Sequence, residues 1–383
     1  MIQVTLLQLK RQMSGSLCRY LVFIAATLFC ACKTTGDQVK ATTQTTTPPV
    51  TTPGGGGTTN GPDFSLVGFA SQNGGTTGGQ GGNTVTATSY AELKSYLESS
   101  TKMIVKINTR IYNGVKGGSI IINSNKTLLG EGSTAFLDGV GLSINGKNNI
   151  IIQNIKITMS SITDTTDPAV YIPTGDEGRP QILVNGGDCI SIFGSSSNIW
   201  VDHCEAYNID PKVQTNQDLY DGLIDAKGAS AYITISWCYL HDHHKCTLVG
   251  SSDSDNFDRK ITFHHNYYSN ITERAPSYRF GTAHVFNNYY KGVYGSGVNA
   301  RMGAIIYVEK NYFDGCKDPI TTKNSSSNGF WNVSNNVFDN CTGSQPTTST
   351  STAFTPTYSY SNVVTNQTDV KTVVMQYAGV GKF

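Results

Sequence analysis

Two arginines five positions apart, in Arg274-Ala-Pro-Ser-Tyr-Arg279-Phe-Gly-Thr-Ala-His284, are the first residues whose spacing suggests chemistry. In a regular strand residues an odd number apart face opposite sides, but a proline-bent loop breaks that alternation and can aim both guanidinium groups at one anion. The planar fork of arginine suits a carboxylate. Two solvated arginines beside a turn would read the same way, so the neighbouring residues must decide. Lys245 lies upstream, and before it Asp221 and Asp225 stand four apart. Basic groups and clustered carboxylates together describe a site that holds an anion through a metal ion.

Other motifs offer competing chemistry. The cluster His241-Asp-His243-His244 could hold zinc, but neither an HExxH spacing nor a CxxC pair accompanies it. Packing and hydrogen bonding around Lys245 is the other reading. Asp221 and Asp225 could serve a glycosidase as acid and base, which would leave Arg274, Lys245 and Arg279 without a role. A non-catalytic polysaccharide-binding surface protein would need neither Arg274 nor the acidic pair. The glycine run at 78–82 is not a phosphate loop, because no Gly-Lys-Ser/Thr follows it.

The elements that must carry these residues are short strands. Charged residues make up only 14% of the 383, against 40 glycines and 20 tyrosines, which favours a turn-rich β protein. A net charge of +1 offers no basic field for nucleic acid. Six segments repeat: Ile199-Trp-Val-Asp-His-Cys204, Ile233-Thr-Ile-Ser-Trp-Cys238, Ile261-Thr-Phe-His-His-Asn266, Ala283-His-Val-Phe-Asn-Asn288, Ile306-Tyr-Val-Glu-Lys-Asn311 and Trp331-Asn-Val-Ser-Asn-Asn336. Each is apolar at its first and third places and ends in Asn or Cys, at intervals of 34, 28, 22, 23 and 25 residues. Strands this short, repeating at variable intervals, suit a parallel β-helix whose loops differ from coil to coil. A β-propeller blade would need about 40–45 residues. The terminal Asn should stack at one corner, each amide bonding to the next coil. Ser89-Tyr-Ala-Glu92 has capping-box spacing and precedes Leu93, Tyr96 and Leu97, so a short helix is expected to cover the N-terminal end of the coil.

The residues resemble the pectate lyases, polysaccharide lyase family 1. Asn198-Ile-Trp-Val-Asp202-His203, Asp221-Gly-Leu-Ile-Asp225, Lys245-Cys-Thr-Leu-Val-Gly250 and the Arg274 to His284 segment match its signature blocks in order, as do Val67-Gly-Phe-Ala and Thr76-Thr-Gly-Gly-Gln-Gly-Gly82 at the start. The resemblance implies an all-β, right-handed single-stranded parallel β-helix and Ca²⁺-dependent β-elimination of polygalacturonate to unsaturated oligogalacturonates. It implies Asp188, Asp221 and Asp225 as Ca²⁺ ligands, Arg274 as catalytic base, and Lys245 and Arg279 as binders of substrate carboxylates. The family often has an aspartate two places before Asp188, where this chain has Gly186. One carboxylate fewer would weaken calcium binding. Pectin lyases lack the acidic pair, so keeping it favours the de-esterified substrate. His203 and Trp200, in the repeat strand beside the site, are read as structural.

The proton at C5 of a galacturonate is weakly acidic, and removing it builds charge that the site must stabilise. Three aspartates offer hard oxygen ligands that suit Ca²⁺ better than zinc. A guanidinium is protonated in water, so Arg274 as literal base requires cationic neighbours to disfavour its charge and implies an alkaline optimum. A water or hydroxide beside Arg274 is the other route.

Residues 1–32 read as an export signal: Lys10, Arg11 and Arg19 precede an apolar run from Tyr20 to Cys32 that is short for a bilayer span. Leu28-Phe-Cys-Ala31-Cys32 is similar to a bacterial lipobox, which would lipidate Cys32; plain cleavage is the alternative, and Met13 is an alternative start. The expected product is a secreted protein or a bacterial cell-surface lipoprotein, monomeric, touching membrane only through Cys32. Residues 33–62, rich in Thr, Pro and Gly, read as a flexible tether, and 63–383 as the β-helix domain. Cys316 and Cys341 each lie five residues after a ladder Asn. They are expected to stack on successive coils about 4.8 Å apart and to form a disulfide. Cys204 and Cys238, at the ladder position itself, are expected to be buried thiols.

Overall fold

The computed structural model describes residues 61–350 and 354–383. The export signal, the lipobox and nearly all of the tether lie outside these residues. Three sheets of ten, nine and eight strands run the length of the domain, and within each sheet every neighbouring pair is parallel. The chain visits the sheets in rotation. Ser197–Asp202 belongs to the ten-stranded sheet, Glu205–Tyr207 to the nine-stranded and Ile224–Ala226 to the eight-stranded, and the next circuit repeats the order. This is the parallel β-helix expected from the repeat.

The six segments stack as read. Ile199 pairs with Ile233, Ile233 with Ile261, Ile261 with Ala283, Ala283 with Ile306, and Ile306 with Trp331. The first five of these residues are fully buried. Burying each isoleucine contributes roughly 1.5–3 kcal/mol, so the column at the first and third places supplies much of the core. A second interior column stacks Tyr268, Tyr290, Phe313 and Phe338, with ring centroids 4.7, 4.4 and 5.4 Å apart.

The turn out of each repeat strand has one residue in the left-handed region: His203, Trp237, His265, Asn287, Lys310 and Asn335. That residue bends the chain sharply and delivers the next side chain inward. The asparagines so placed form the expected ladder. Asn266 Nδ2 donates to Asn288 Oδ1 at 3.0 Å, Asn288 to Asn311 at 3.0 Å and Asn311 to Asn336 at 3.0 Å. Cys204 and Cys238 occupy the same column as buried thiols.

Helix α1, Tyr90–Glu98, buries Leu93 and Leu97 against the first coils, with Tyr96 half-buried. Ser89 caps it by accepting from the Glu92 amide at 3.3 Å, but the Glu92 carboxylate accepts from the Thr88 amide and hydroxyl instead of closing the box on Ser89. A second helix, α2 (Val370–Tyr377), lies over the outer face of the nine-stranded sheet and seats Val370 and Val374 on Tyr289. Among the described residues no helix is long and apolar enough to cross a membrane.

The expected disulfide is corrected. Cys316 and Cys341 are free thiols on adjacent coils, donating to the carbonyls of Tyr290 at 3.6 Å and Phe313 at 3.4 Å. Both cysteines lie just past the strands Tyr312–Asp314 and Val337–Asp339, and each thiol is engaged by a carbonyl of the preceding coil.

Candidate active site

The residues singled out for chemistry converge where the nine-stranded sheet hands the chain to the eight-stranded sheet. Asp188 precedes Ile190–Phe193, and Asp225 sits inside Ile224–Ala226 on the next coil. Lys245 ends Tyr239–Lys245 one coil further, and Arg274 follows Tyr267–Glu273 on the coil after that. Coil stacking thus brings together residues that sequence separates by as many as 86 positions (188 to 274).

Asp188, Asp221 and Asp225 each offer a carboxylate oxygen within 4.8 Å of the others. Local backbone fixes them. Gly222 donates its amide to Asp188 Oδ1 at 2.7 Å, and a Cβ on Gly222 would stand 2.1 Å from Asp225 Oδ1, so only glycine fits between the two acids. The Leu248 amide holds Asp225 Oδ1 at 2.8 Å. Gly186 contributes no carboxylate, and the space around it is open.

Charge in the trio is strained. Burial, then repulsion from Asp225, pushes the Asp188 carboxyl well above the usual range, opposed by Lys227. Burial also raises Asp225, again against the pull of Lys227. For Asp221 burial is outweighed by Lys227, Lys245 and Arg274, which hold it at about 2. Asp225 Oδ2 is buried and faces the Lys227 ammonium at 3.0 Å. Three acids that resist sharing charge, with hard oxygens within 4.8 Å of one another, fit a divalent cation such as calcium.

Around the trio stand the cations. Lys245 Nζ lies 3.2 Å from both Asp218 Oδ1 and Asp221 Oδ1. Arg274 has a left-handed backbone (φ 66) and lies 3.6 Å from Asp221 and 3.5 Å from Glu273. Its neighbours therefore include carboxylates as well as the cations expected from sequence. Arg279 Nε donates to Asp253 Oδ1 at 2.7 Å and Nη1 to the Gly250 carbonyl at 2.9 Å, which fixes the plane of its guanidinium. Arg274 and Arg279 line one cavity of about 170 Å³, so the bent loop does aim both at one space.

Sequence reasoning missed Lys227, Asp218, Asp253 and Arg301. Lys227 had a signal in its place two residues after Asp225, just past the end of Ile224–Ala226. Arg301 sits beside Arg279 in register on the following coil and lines the same cavity. Asp218 and Asp253 lie on loops whose paths no local pattern encodes.

The histidine cluster is engaged elsewhere. His243 Nε2 donates to the Asp221 carbonyl at 2.6 Å, and burial first lowers its pKa to about 4, so it is neutral. His244 Nε2 donates to the Gln214 carbonyl at 2.5 Å, and His241 pairs with Asp242 at 2.7 Å. Among the described residues the aspartate trio is the one group with metal-binding geometry. His203 is fully buried against Asp202, and Trp200 Nε1 donates to Ser236 Oγ at 2.9 Å, so both are structural, as read.

The chain is similar to known proteins over nearly all of its described residues. The pectate lyase family profile matches residues 62–383. A Bacillus licheniformis protein named pectate trisaccharide-lyase is 46% identical over 326 residues, covering 84% of this chain and 87% of that protein. A probable pectate lyase A of Neosartorya fischeri is 38% identical over 323 residues, covering 83% and 89%. Among solved structures, a Bacillus sp. N165 pectate lyase in complex with trigalacturonate superposes with a TM-score of 0.70 at 34% identity, covering 83% of this chain and 99% of that one. Pectate lyase II of Xanthomonas campestris superposes with a TM-score of 0.67 at 28% identity, covering 83% and 99%. By its fold and by these relatives, the chain belongs to the pectate lyase family.

Proposed function

We propose that this protein is a polysaccharide lyase that cleaves de-esterified polygalacturonate by calcium-dependent β-elimination. One observation carries the reading: three carboxylates, two buried and Asp221 partly exposed, converge beside Lys245 and Arg274, with both cations directed at Asp221. A site for an anionic sugar held through a cation has this composition. A relative named pectate trisaccharide-lyase and a neighbour holding trigalacturonate support an oligogalacturonate chain as the occupant.

Asp188, Asp221 and Asp225 would hold the calcium ion. The chemistry a bound ion supplies there is Lewis-acid stabilisation of the uronate carboxylate as charge builds on it. Lys245 and Arg279 bind and orient carboxylates along the chain, and the ties of Arg279 to Asp253 and Gly250 leave its remaining N–H groups for substrate. Arg274 acts at the C5 proton. That proton passes to Arg274 or to a hydroxide held beside it; as it leaves, the C4–oxygen bond breaks, a C4–C5 double bond forms and the departing oxygen gains a proton from solvent. A β-helical glycosidase would use Asp221 and Asp225 as acid and base, but both are tied to Lys227.

Product analysis separates the readings. Polygalacturonate incubated with the protein and calcium should yield oligomers with an unsaturated terminal residue. Saturated oligomers formed by uptake of water would identify a hydrolase instead, and an intact polymer with measurable binding would identify a non-catalytic protein.

A further inference from the structure

The cation nearest the acidic trio belongs to the chain. Lys227 Nζ stands 3.3 Å from Asp188 Oδ2, 3.2 Å from Asp221 Oδ2 and 3.0 Å from Asp225 Oδ2. Lys227 directly follows the strand Ile224–Ala226, two residues after Asp225, and its ammonium reaches the Asp225 side chain. The three Oδ2 atoms converge on the ammonium. A calcium ion sits about 2.3–2.6 Å from its oxygens, so it would claim the same small volume. Two positive charges at such separation repel strongly in a buried setting. The ammonium and a divalent ion therefore exclude one another.

We propose that Lys227 is a tethered counter-cation, which holds the carboxylate trio together in the metal-free protein and withdraws when the divalent ion enters. Ion binding is then an exchange, and the affinity for calcium reflects the loss of the three lysine contacts. The proposal rests on reading the trio as the calcium site.

Two features make the exchange feasible. The Lys227 ammonium has the three carboxylates as its only ion-pair and hydrogen-bond partners among the described residues, so withdrawal breaks no other contact. Its side chain is 22% exposed and carries a flexible four-carbon stem, so solvent lies within reach. The charge count also favours exchange. Three carboxylates against one ammonium leave a net deficit that a dication at the same place reduces further. Lys245 differs, because its second anchor on Asp218 holds it beside the trio when the ion arrives.

The test uses calcium alone, without substrate. Wild type, Lys227→Met and Lys227→Gln are titrated by calorimetry, and Tm is followed with and without the ion. Exchange predicts calcium binding at least tenfold tighter in both variants. It also predicts a lower Tm in chelator and a larger rise in Tm on adding calcium. A second measurement needs only wild type: lysine acetylation, mapped by mass spectrometry, in chelator and in saturating calcium. Lys227 labelling should rise several-fold with calcium, while Lys126, tied to the carbonyls of Ser99 and Thr101, stays constant. Should the variants fail to fold without metal, the labelling decides alone. Wild type that binds calcium with Lys227 labelling unchanged overturns the exchange and leaves the calcium site standing. Unchanged or weaker calcium binding by the variants does the same. Wild type that binds no calcium overturns both the exchange and the calcium site.

Discussion

Arg274 is the residue on which the reaction turns. It reaches the site from a left-handed backbone position, beside Asp221 at 3.6 Å and Glu273 at 3.5 Å. Its role needs a planar group in that place, and lysine supplies only a point charge. Arg274→Lys should lower kcat by about 10²–10⁴-fold, the range for loss of a proton-transfer group, with KM little changed. Steady-state kinetics on polygalacturonate check this, and near-normal kcat would remove Arg274 from the chemistry. At this scale the sequence was legible in part. Asp221 and Asp225 stood out by spacing, and Arg274 and Arg279 by their loop. Asp253 did not, because its contact with Arg279 depends on the path of a loop. Lys227 was not singled out, although it stands only two residues after Asp225.

The elements were more legible than the site, because each coil repeats one physical rule. Apolar residues at the first and third places of the six segments point inward, and the terminal Asn bonds along the axis. The Asn288 side chain accepts from the amide of Asn266 at 2.9 Å and donates to the carbonyls of Phe263 at 2.9 Å and Phe286 at 3.1 Å. Asn288→Ala would remove the acceptor of the Asn266 amide and the donor to both carbonyls, at about 1–3 kcal/mol for each buried group left unpaired, while the Phe286 carbonyl keeps the His265 amide at 3.3 Å. We expect a loss of about 3 kcal/mol or more, read as a lower Tm. A Tm within a degree of wild type would show that the ladder adds no stability. Helix α2 escaped sequence reading for a physical reason. Val370, Val373 and Val374 are β-branched, and Asp369 makes no side-chain capping bond, so local propensity does not announce a helix. Packing of Val370 and Val374 on Tyr289 holds it. The disulfide expectation failed because register alone does not decide the partner of each thiol, and here the carbonyls of Tyr290 and Phe313 take that place.

Over the whole molecule, the buried histidines govern behaviour in acid. Burial, then repulsion from His203 and His284, outweighs the pull of Asp202 and lowers His264 to about 3; His265 lies well below 6.5 from burial and its histidine neighbours. The unfolded chain takes up these protons near pH 6.5, whereas the folded protein does not. Stability should therefore be full above about pH 6.5 and fall below it, by about 1.4 kcal/mol per pH unit for each histidine. Denaturant unfolding between pH 7 and pH 4.5 checks the slope, and a flat profile would contradict the buried neutral state. The central claim, that the trio serves an elimination through calcium, is tested most directly by one assay. Polygalacturonate is followed by the ultraviolet absorbance of the conjugated product, with the protein in excess chelator and then after calcium is restored. The account predicts no absorbance change in chelator and a linear rise once calcium is in excess; an equal rise in chelator would contradict it.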